Sequence, residues 1–283
     1  MAELVYPPVI FAARTLFAAL GLRFDIGGAE HIPRTGGAVL ASNHVSYLDF
    51  MFCGFGALPS DRLVRFMAKE AVFRHRIAGP LMRGMHHIPV DRAAGAGAYR
   101  VAVSALRAGE IVGVFPEATI SRSFTLKEFR SGAARMAGEA AVPLIPMVTW
   151  GGQRVLTKGR PRDLHRGRTV VIRIGPALPE PLPDDPAATM LVLRESMQAL
   201  LELAQAAHPD TPGPGARDTG DGGTQDRWWL PGHLGGSAPT PEEAAALDAA
   251  EQHARRRAAT ASAAPHDADP DPARDAAPEA DGS

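Results

Sequence analysis

Before residue 209 this 283-residue chain alternates short apolar, β-like runs with helical ones, and that alternation limits the folds open to it. The candidate strands are AVLAS (38–42), RFMAK (65–69), HHIPV (86–90), IVGVFP (111–116), LIPMVTW (144–150) and TVVIRIG (169–175). Helical patterns fall between them near 48–57, 71–82, 95–108 and 130–140, with a longer one at 187–206. This order predicts an α/β fold, a mixed and largely parallel sheet flanked by helices. Functional loops of such sheets sit beyond the strand C-termini. Polar clusters that directly follow strands are therefore the places to look for chemistry.

From Pro209 the composition shifts to Pro, Gly, Ala, Asp and Ser, and the end of the chain (DADPDPARDAAPEADGS) lacks the apolar residues a core needs. Residues 209–283 form an acidic tail, expected to be mostly disordered, with two islands. DRWWLPGHLGG (226–236) carries paired tryptophans that should dock on a surface, and TPEEAAALDAAEQHARRR (240–257) reads as a short helix with acidic first and basic last turns. The tail holds 6 Lys and Arg against 14 Asp and Glu, net −8. The first 208 residues hold 24 against 17, net +7, hidden in a whole-chain charge of −1. A basic body suits an anionic partner: a phosphorylated substrate, a membrane surface or a nucleic acid. Basic residues interleaved with aromatics are missing, so no nucleic-acid partner is expected.

Cys53 is the only cysteine, and its apolar neighbours Phe52, Gly54 and Phe55 point to a packed thiol in a reducing compartment. MAELVYPP lacks the features of a signal peptide. The apolar stretch PPVIFAARTLFAALGL (7–22) is too short to span a bilayer and carries Arg14 in its middle. Two readings stay open for it: a core helix, or an interfacial helix presenting Val9, Ile10, Phe11, Leu16, Phe17 and Leu20 to a headgroup layer.

Three polar clusters follow strand-like runs. In SNHVSYLDF (42–50), Ser46 and Asp49 have capping-box spacing, and His44 lies just before the helix they would start. If the chain folds the imidazole back over the first turn, Asp49 accepts one ring N–H and leaves the other nitrogen to take a proton from an alcohol. A capping Asp beside an unrelated His is the competing reading. FPEATISRSFTLKEFRSGAA (115–134) crowds Glu117, Thr119, Ser121, Arg122, Ser123, Lys127 and Arg130 into fourteen positions, a donor set suited to phosphate. Its competing reading is a solvated loop. RGMHHIPVDR (83–92) ends in Arg92; its adjacent His86 and His87 would point to opposite faces of a strand, so no metal site is expected there.

NHVSYLD (43–49), IPVDR (88–92), FPEAT (115–119) and VPLIP (142–146) resemble, in order and spacing, the four motifs of the glycerolipid acyltransferase family. The likeness covers roughly residues 25–180, and AKE (68–70) and FRSGAARMA (129–137) are similar to the intervening segments. It implies that His44 is the base acting on the acceptor hydroxyl and Asp49 its orienting partner. It also implies that Arg92 and the loop around Glu117 and Thr119 hold the acceptor's phosphate, with Arg122, Lys127, Arg130 and Lys69 nearby. An acyl-chain tunnel and a membrane-associating N-terminal helix are implied by the same resemblance. The domains expected are then an interfacial helix (1–24), an acyltransferase domain (25–208) and the tail (209–283).

The resemblance further implies transfer from acyl-CoA or acyl-carrier protein to a lysophospholipid, 1-acyl-glycerol-3-phosphate, giving phosphatidic acid without a cofactor. The expected place is peripheral, on the cytoplasmic side of the plasma membrane. The third motif departs from the family's common FPEGTRS: Ala118 replaces glycine, and Ile120 stands where an arginine often contacts phosphate. That departure keeps another lysolipid or glycolipid acceptor open. The acidic tail with Trp228 and Trp229 keeps open a non-catalytic, membrane-associated scaffold with the same fold.

Overall fold

A computed structural model of the chain describes residues 3–91, 95–212 and 227–262. Seven strands form one sheet: β1 (Arg23–Gly27), β2 (Ala38–Ser42), β3 (Val64–Lys69), β4 (Ile88–Val90), β5 (Ile111–Val114), β6 (Leu144–Trp150) and β7 (Thr169–Ile174). Their order is β1-β7-β6-β2-β5-β3-β4, and every pairing is parallel except β6 with β7. The expected mixed, largely parallel sheet is what forms.

Alternate residues along the strands serve two cores, as the two-residue side-chain period requires. Val39, Ala41, Val112, Val114, Leu144 and Val148 face α5 (Gly95–Arg107), α6 (Gly132–Ala140) and α7 (Pro186–Ala207). Ala38, Leu40, Ile111, Ile145, Met147 and Ile172 face α1 (Tyr6–Ala19) and α2 (Asp49–Ala57). Burial on both faces is why β2, β5 and β6 read as nearly continuous apolar runs. Cys53, on α2, is fully buried, and burial pushes its thiol pKa up, as its neighbours led one to expect.

α1 is anchored through Ala13 and Phe17 to the sheet face and through Tyr6 to the β3 edge, where the Tyr6 hydroxyl donates to the Val64 carbonyl at 2.5 Å. Buried Arg65 bonds both Glu3 and Glu110, donates to the Met85 carbonyl at 3.0 Å, and lies 5.2 Å from the Tyr6 ring centroid. Phe11 and Leu16 on the same helix stay exposed. Among the described residues no helix is long and apolar enough to cross a membrane.

Three sequence expectations change. β1 is not among the expected strands; it pairs on one side only, with β7. The single helix expected at 71–82 is two, α3 (Glu70–Phe73) and α4 (Ala78–Gly84). Between them His75 Nδ1 accepts the N–H groups of Ile77 and Ala78, each at 3.2 Å, and restarts the helix. The strand expected from residue 86 begins at Ile88, because His86 has φ +56°. His87 turns inward instead and accepts the Phe66 N–H at Nδ1, while burial lowers its pKa to about 4.

Of the tail, 209–212 and 227–262 are described. The tryptophan island docks: Trp229 is buried against Trp150 and His208, with the Arg154 guanidinium 4.4 Å from its ring centroid. The second island forms α8 (Pro241–Ser262), longer than expected. Helix α8 belongs to a separate unit and begins with Glu242 and Glu243 in its first turn. Residues 213–226 and 263–283 lie outside the described residues, and the expectation of disorder there goes with them.

Candidate active site

The C-terminal ends of β2, β5 and β6 converge on His44. Past Ser42 the chain leaves β2, and Asp49 opens α2 five residues beyond the histidine. Asp49 is fully buried, and its Oδ2 accepts the Val45 and Ser46 N–H groups, each at 2.7 Å, and lies 2.9 Å from His44 Nδ1. Two backbone donors on that oxygen require an acceptor there, so His44 Nδ1 carries the ring hydrogen and Nε2 keeps its lone pair. The folded-back turn imagined from the sequence is therefore the one that forms. The expected capping box does not cap α2, whose N-cap is Leu48 with no side-chain cap bond; Ser46 Oγ instead accepts the Leu48 N–H at 3.1 Å in the turn before the helix.

The other carboxylate oxygen is held from across the sheet. Thr149 Oγ1, on β6, donates to Asp49 Oδ1 at 2.9 Å. Asn43 fixes Thr149 in turn: its side chain donates to the Thr149 carbonyl at 3.0 Å and accepts the Thr149 N–H at 2.7 Å. Thr149 does not stand out in the sequence, and Asn43, though it opens the motif NHVSYLD, has no role there that the sequence assigns. The available signal is a threonine in the otherwise apolar run LIPMVTW, a polar group that burial obliges to find a partner.

The third-motif loop clamps the backbone of His44. The His44 N–H donates to Glu117 Oε1 at 2.9 Å, and its carbonyl accepts the Ser121 N–H at 2.7 Å. Phe115 stacks on the imidazole with centroids 4.2 Å apart and planes 17° off parallel. Phe66 stacks behind Phe115 at 6.1 Å, in space that Gly113 leaves open: a Cβ there would fall 2.4 Å from the Phe66 ring. The His44 side chain remains 20% exposed.

Glu117 is buried, and its second oxygen accepts the Lys127 N–H at 3.2 Å. Burial, aided by the nearby charge of Asp49, raises its pKa to about 8 against the lowering effect of both backbone bonds. Lys127 Nζ donates to Thr119 Oγ1 at 2.9 Å, which brings two of the expected phosphate-binding side chains together. Arg122 lies over Gly159, where a Cβ would collide with its Nη1, and exposed Arg130 is anchored through its N–H to the Pro116 carbonyl at 3.0 Å. Lys69 sits in register with Val90 at the ends of β3 and β4. Arg92, two residues further on, lies outside the described residues.

The two departures in the third motif have structural consequences. Ala118 has φ +60°, a left-handed conformation that glycine adopts without penalty. Ile120 is buried, so its side chain supplies no cation where the family often has one.

Residues 23–150 match the family model described as Acyltransferase. A 1-acyl-sn-glycerol-3-phosphate acyltransferase of Bacillus subtilis is 32% identical over 157 residues, covering 53% of this chain and 76% of that one. The mouse 1-acyl-sn-glycerol-3-phosphate acyltransferase alpha is 33% identical over 182 residues, covering 62% of this chain and 63% of its own, so this chain spans less than two thirds of its length. The crystal structure of the 1-acyl-sn-glycerophosphate acyltransferase PlsC from Thermotoga maritima shares the fold, with a TM-score of 0.62, 23% identity, and coverage of 71% of this chain and 79% of that one. A buried carboxylate that sets the tautomer of a partly open histidine, on this fold and with these relatives, makes the chain a member of the glycerolipid acyltransferase family.

Proposed function

We propose that the protein transfers a fatty acyl group from a thioester, acyl-CoA or acyl-carrier protein, to the free hydroxyl of 1-acyl-glycerol-3-phosphate. The observation that carries this reading is the His44–Asp49–Thr149 chain. His44 Nε2 takes the proton as the hydroxyl oxygen attacks the thioester carbonyl; a C–O bond forms and a tetrahedral centre develops. Its collapse breaks the C–S bond, and the imidazolium returns the proton to the departing thiolate. Asp49 stabilises the imidazolium between these steps. No group in this scheme forms a covalent intermediate, and no cofactor or metal takes part.

In this reading Glu117 positions His44 and Lys127, while Thr119, Arg122, Lys127 and Arg130, with Lys69 at the end of β3 and with Arg92, receive the acceptor's phosphate. Acceptor KM should then rise with ionic strength. Exposed Phe11 and Leu16 on α1 and Ile77 and Leu81 on the α3–α4 segment support contact with a membrane surface, and the side proposed is the cytoplasmic face of the plasma membrane. α1 reaches that segment through the Val5, Val9 and Ile10 side chains.

A second acceptor is favoured by one observation, the buried Ile120 in place of a phosphate-contacting cation. A panel of lysophosphatidic acid, lysophosphatidylglycerol, an ornithine lysolipid and a lysoglycolipid, each with the same acyl-CoA, separates the two. The proposal requires the highest kcat/KM on lysophosphatidic acid. Preference for a phosphate-free acceptor would overturn it.

A further inference from the structure

We propose that a basic, tryptophan-walled groove lying beyond residues 23–150, the span matched by the family model, seats the phosphorylated nucleotide end of the acyl donor. Only the identity of the ligand as the donor rests on the acyl-transfer reading; binding in the groove does not.

The groove consists of two adjoining cavities of about 440 and 450 Å³ that share Asp163, His165 and Trp228. Those volumes lie within the ~300–1,000 Å³ typical of small-molecule sites. Residues 158–168 (KGRPRDLHRGR) supply most of the wall, and five of their eleven side chains are Lys or Arg against one Asp. That aspartate is engaged: Asp163 bonds Arg168 at 2.5 Å and also pairs with His165. Arg162 and Arg166 are exposed and make no ion pair among the described residues, so their guanidinium groups are available for phosphate oxygens. Trp228 is half-buried, and Arg160 stands 5.1 Å from its ring centroid. An aromatic face beside guanidinium groups recognises a base and its phosphates together.

Position ties the groove to the reaction. Asp163 N–H donates to the Val155 carbonyl at 2.9 Å, closing the loop on which the groove is built. The next residue, Leu156, accepts Ser46 Oγ at 2.7 Å, and Thr157 Oγ1 donates to the Val45 carbonyl at 2.6 Å. The groove's loop is thus fastened to the same turn that holds His44 and Asp49. On the other side Trp228 packs edge-on against Phe124 of the third-motif loop, with centroids 6.1 Å apart. A coenzyme A thioester has the matching layout, with adenine and phosphates at one end of a long flexible arm and the reacting carbonyl at the other. The aromatic face of Trp228, on which a base can stack, favours a nucleotide over a carrier protein.

The test uses full-length protein, checked for fold by circular dichroism. Wild type and the Arg162→Glu/Arg166→Glu variant are titrated with adenosine 3′,5′-bisphosphate by calorimetry, and their KM values are measured for acyl-CoA, acyl-carrier protein and acceptor. Trp228→Leu is measured alongside as an uncharged control on the stacking wall. The proposal expects the bisphosphate to bind wild type, and the double variant to bind it and acyl-CoA about tenfold more weakly or worse, with acceptor KM unmoved. Bisphosphate binding to a wild type that transfers no acyl group would remove the proposed function and leave the groove. Three results would overturn the groove: no bisphosphate binding to an active wild type, a KM change confined to acyl-carrier protein, or loss of binding to anionic vesicles with acyl-CoA KM unchanged.

Discussion

Thr149 Oγ1 donates a hydrogen bond to Asp49 Oδ1 at 2.9 Å, across 100 residues of sequence. This bond fixes the oxygen that does not touch His44, and so sets the rotation of the carboxylate that does. Thr149→Val keeps the volume and the backbone bonds with Asn43 but removes the donor. The expected result is a kcat reduced about ten- to 150-fold, the worth of one hydrogen bond to a charged group, with acceptor KM little changed. Steady-state kinetics on the purified variant check this; an unaltered kcat would mean that the carboxylate holds its orientation without the threonine.

Asp49 has a structural duty and a chemical one, and two substitutions separate them. Asn in its place still offers an oxygen to the Val45 and Ser46 N–H groups but loses the charge that supports the imidazolium. Asp49→Asn should therefore fold nearly as stably as wild type while kcat falls by ~10²–10⁴. Asp49→Ala leaves both buried N–H groups without an acceptor, at about 1–3 kcal/mol each, and should also lower the urea midpoint. Equal stability of the two variants would contradict this division.

Glu117 makes stability depend on pH in a direction unusual for a carboxylate. Its folded-state pKa of about 8 lies above the ordinary value of 4.5, so between these pH values the folded chain binds more protons than the unfolded one. Stability from this group is present below about pH 4.5 and is lost as pH rises through 8, at most ~1.4 kcal/mol per pH unit. Urea unfolding at pH 6 and pH 8.5 should show the decline, and Glu117→Gln should flatten it. A wild type more stable at pH 8.5, with no change in slope on substitution, would rule out a buried protonated Glu117.

Ala118 spends conformational energy where a glycine would not. At φ +60° the Ala118→Gly exchange relieves the clash of the β-carbon, partly offset by the larger entropy of the unfolded chain. The net gain expected is about 0.5–1 kcal/mol, read as a higher melting temperature. A lower one would show that the methyl group makes contacts worth more than the strain.

How much of this is readable from the sequence depends on how local each feature is. β2, β5 and β6 are legible because burial on both faces writes an apolar run into each. β1 is not: RFDIG is an edge strand, half exposed, and its polar Arg23 and Asp25 interrupt the pattern. The α3–α4 break turns on one imidazole nitrogen of His75 capping the start of α4, which periodicity does not register. The His44–Asp49 geometry is legible because five residues contain it. The Asn43–Thr149 pairing and the Phe66–Phe115–His44 stack are not, since each joins segments distant in sequence. The Glu117 carboxyl, expected at the phosphate, is buried between two backbone N–H groups; only the course of the loop reveals that.

Whether His44 is the general base of an acyl transfer is decided with radiolabelled oleoyl-CoA and lysophosphatidic acid, comparing wild type with His44→Ala. Wild type should form labelled phosphatidic acid, and the variant, with its fold intact, should show a kcat lower by ~10²–10⁴. A His44→Ala protein that forms the product at the wild-type rate would contradict that role.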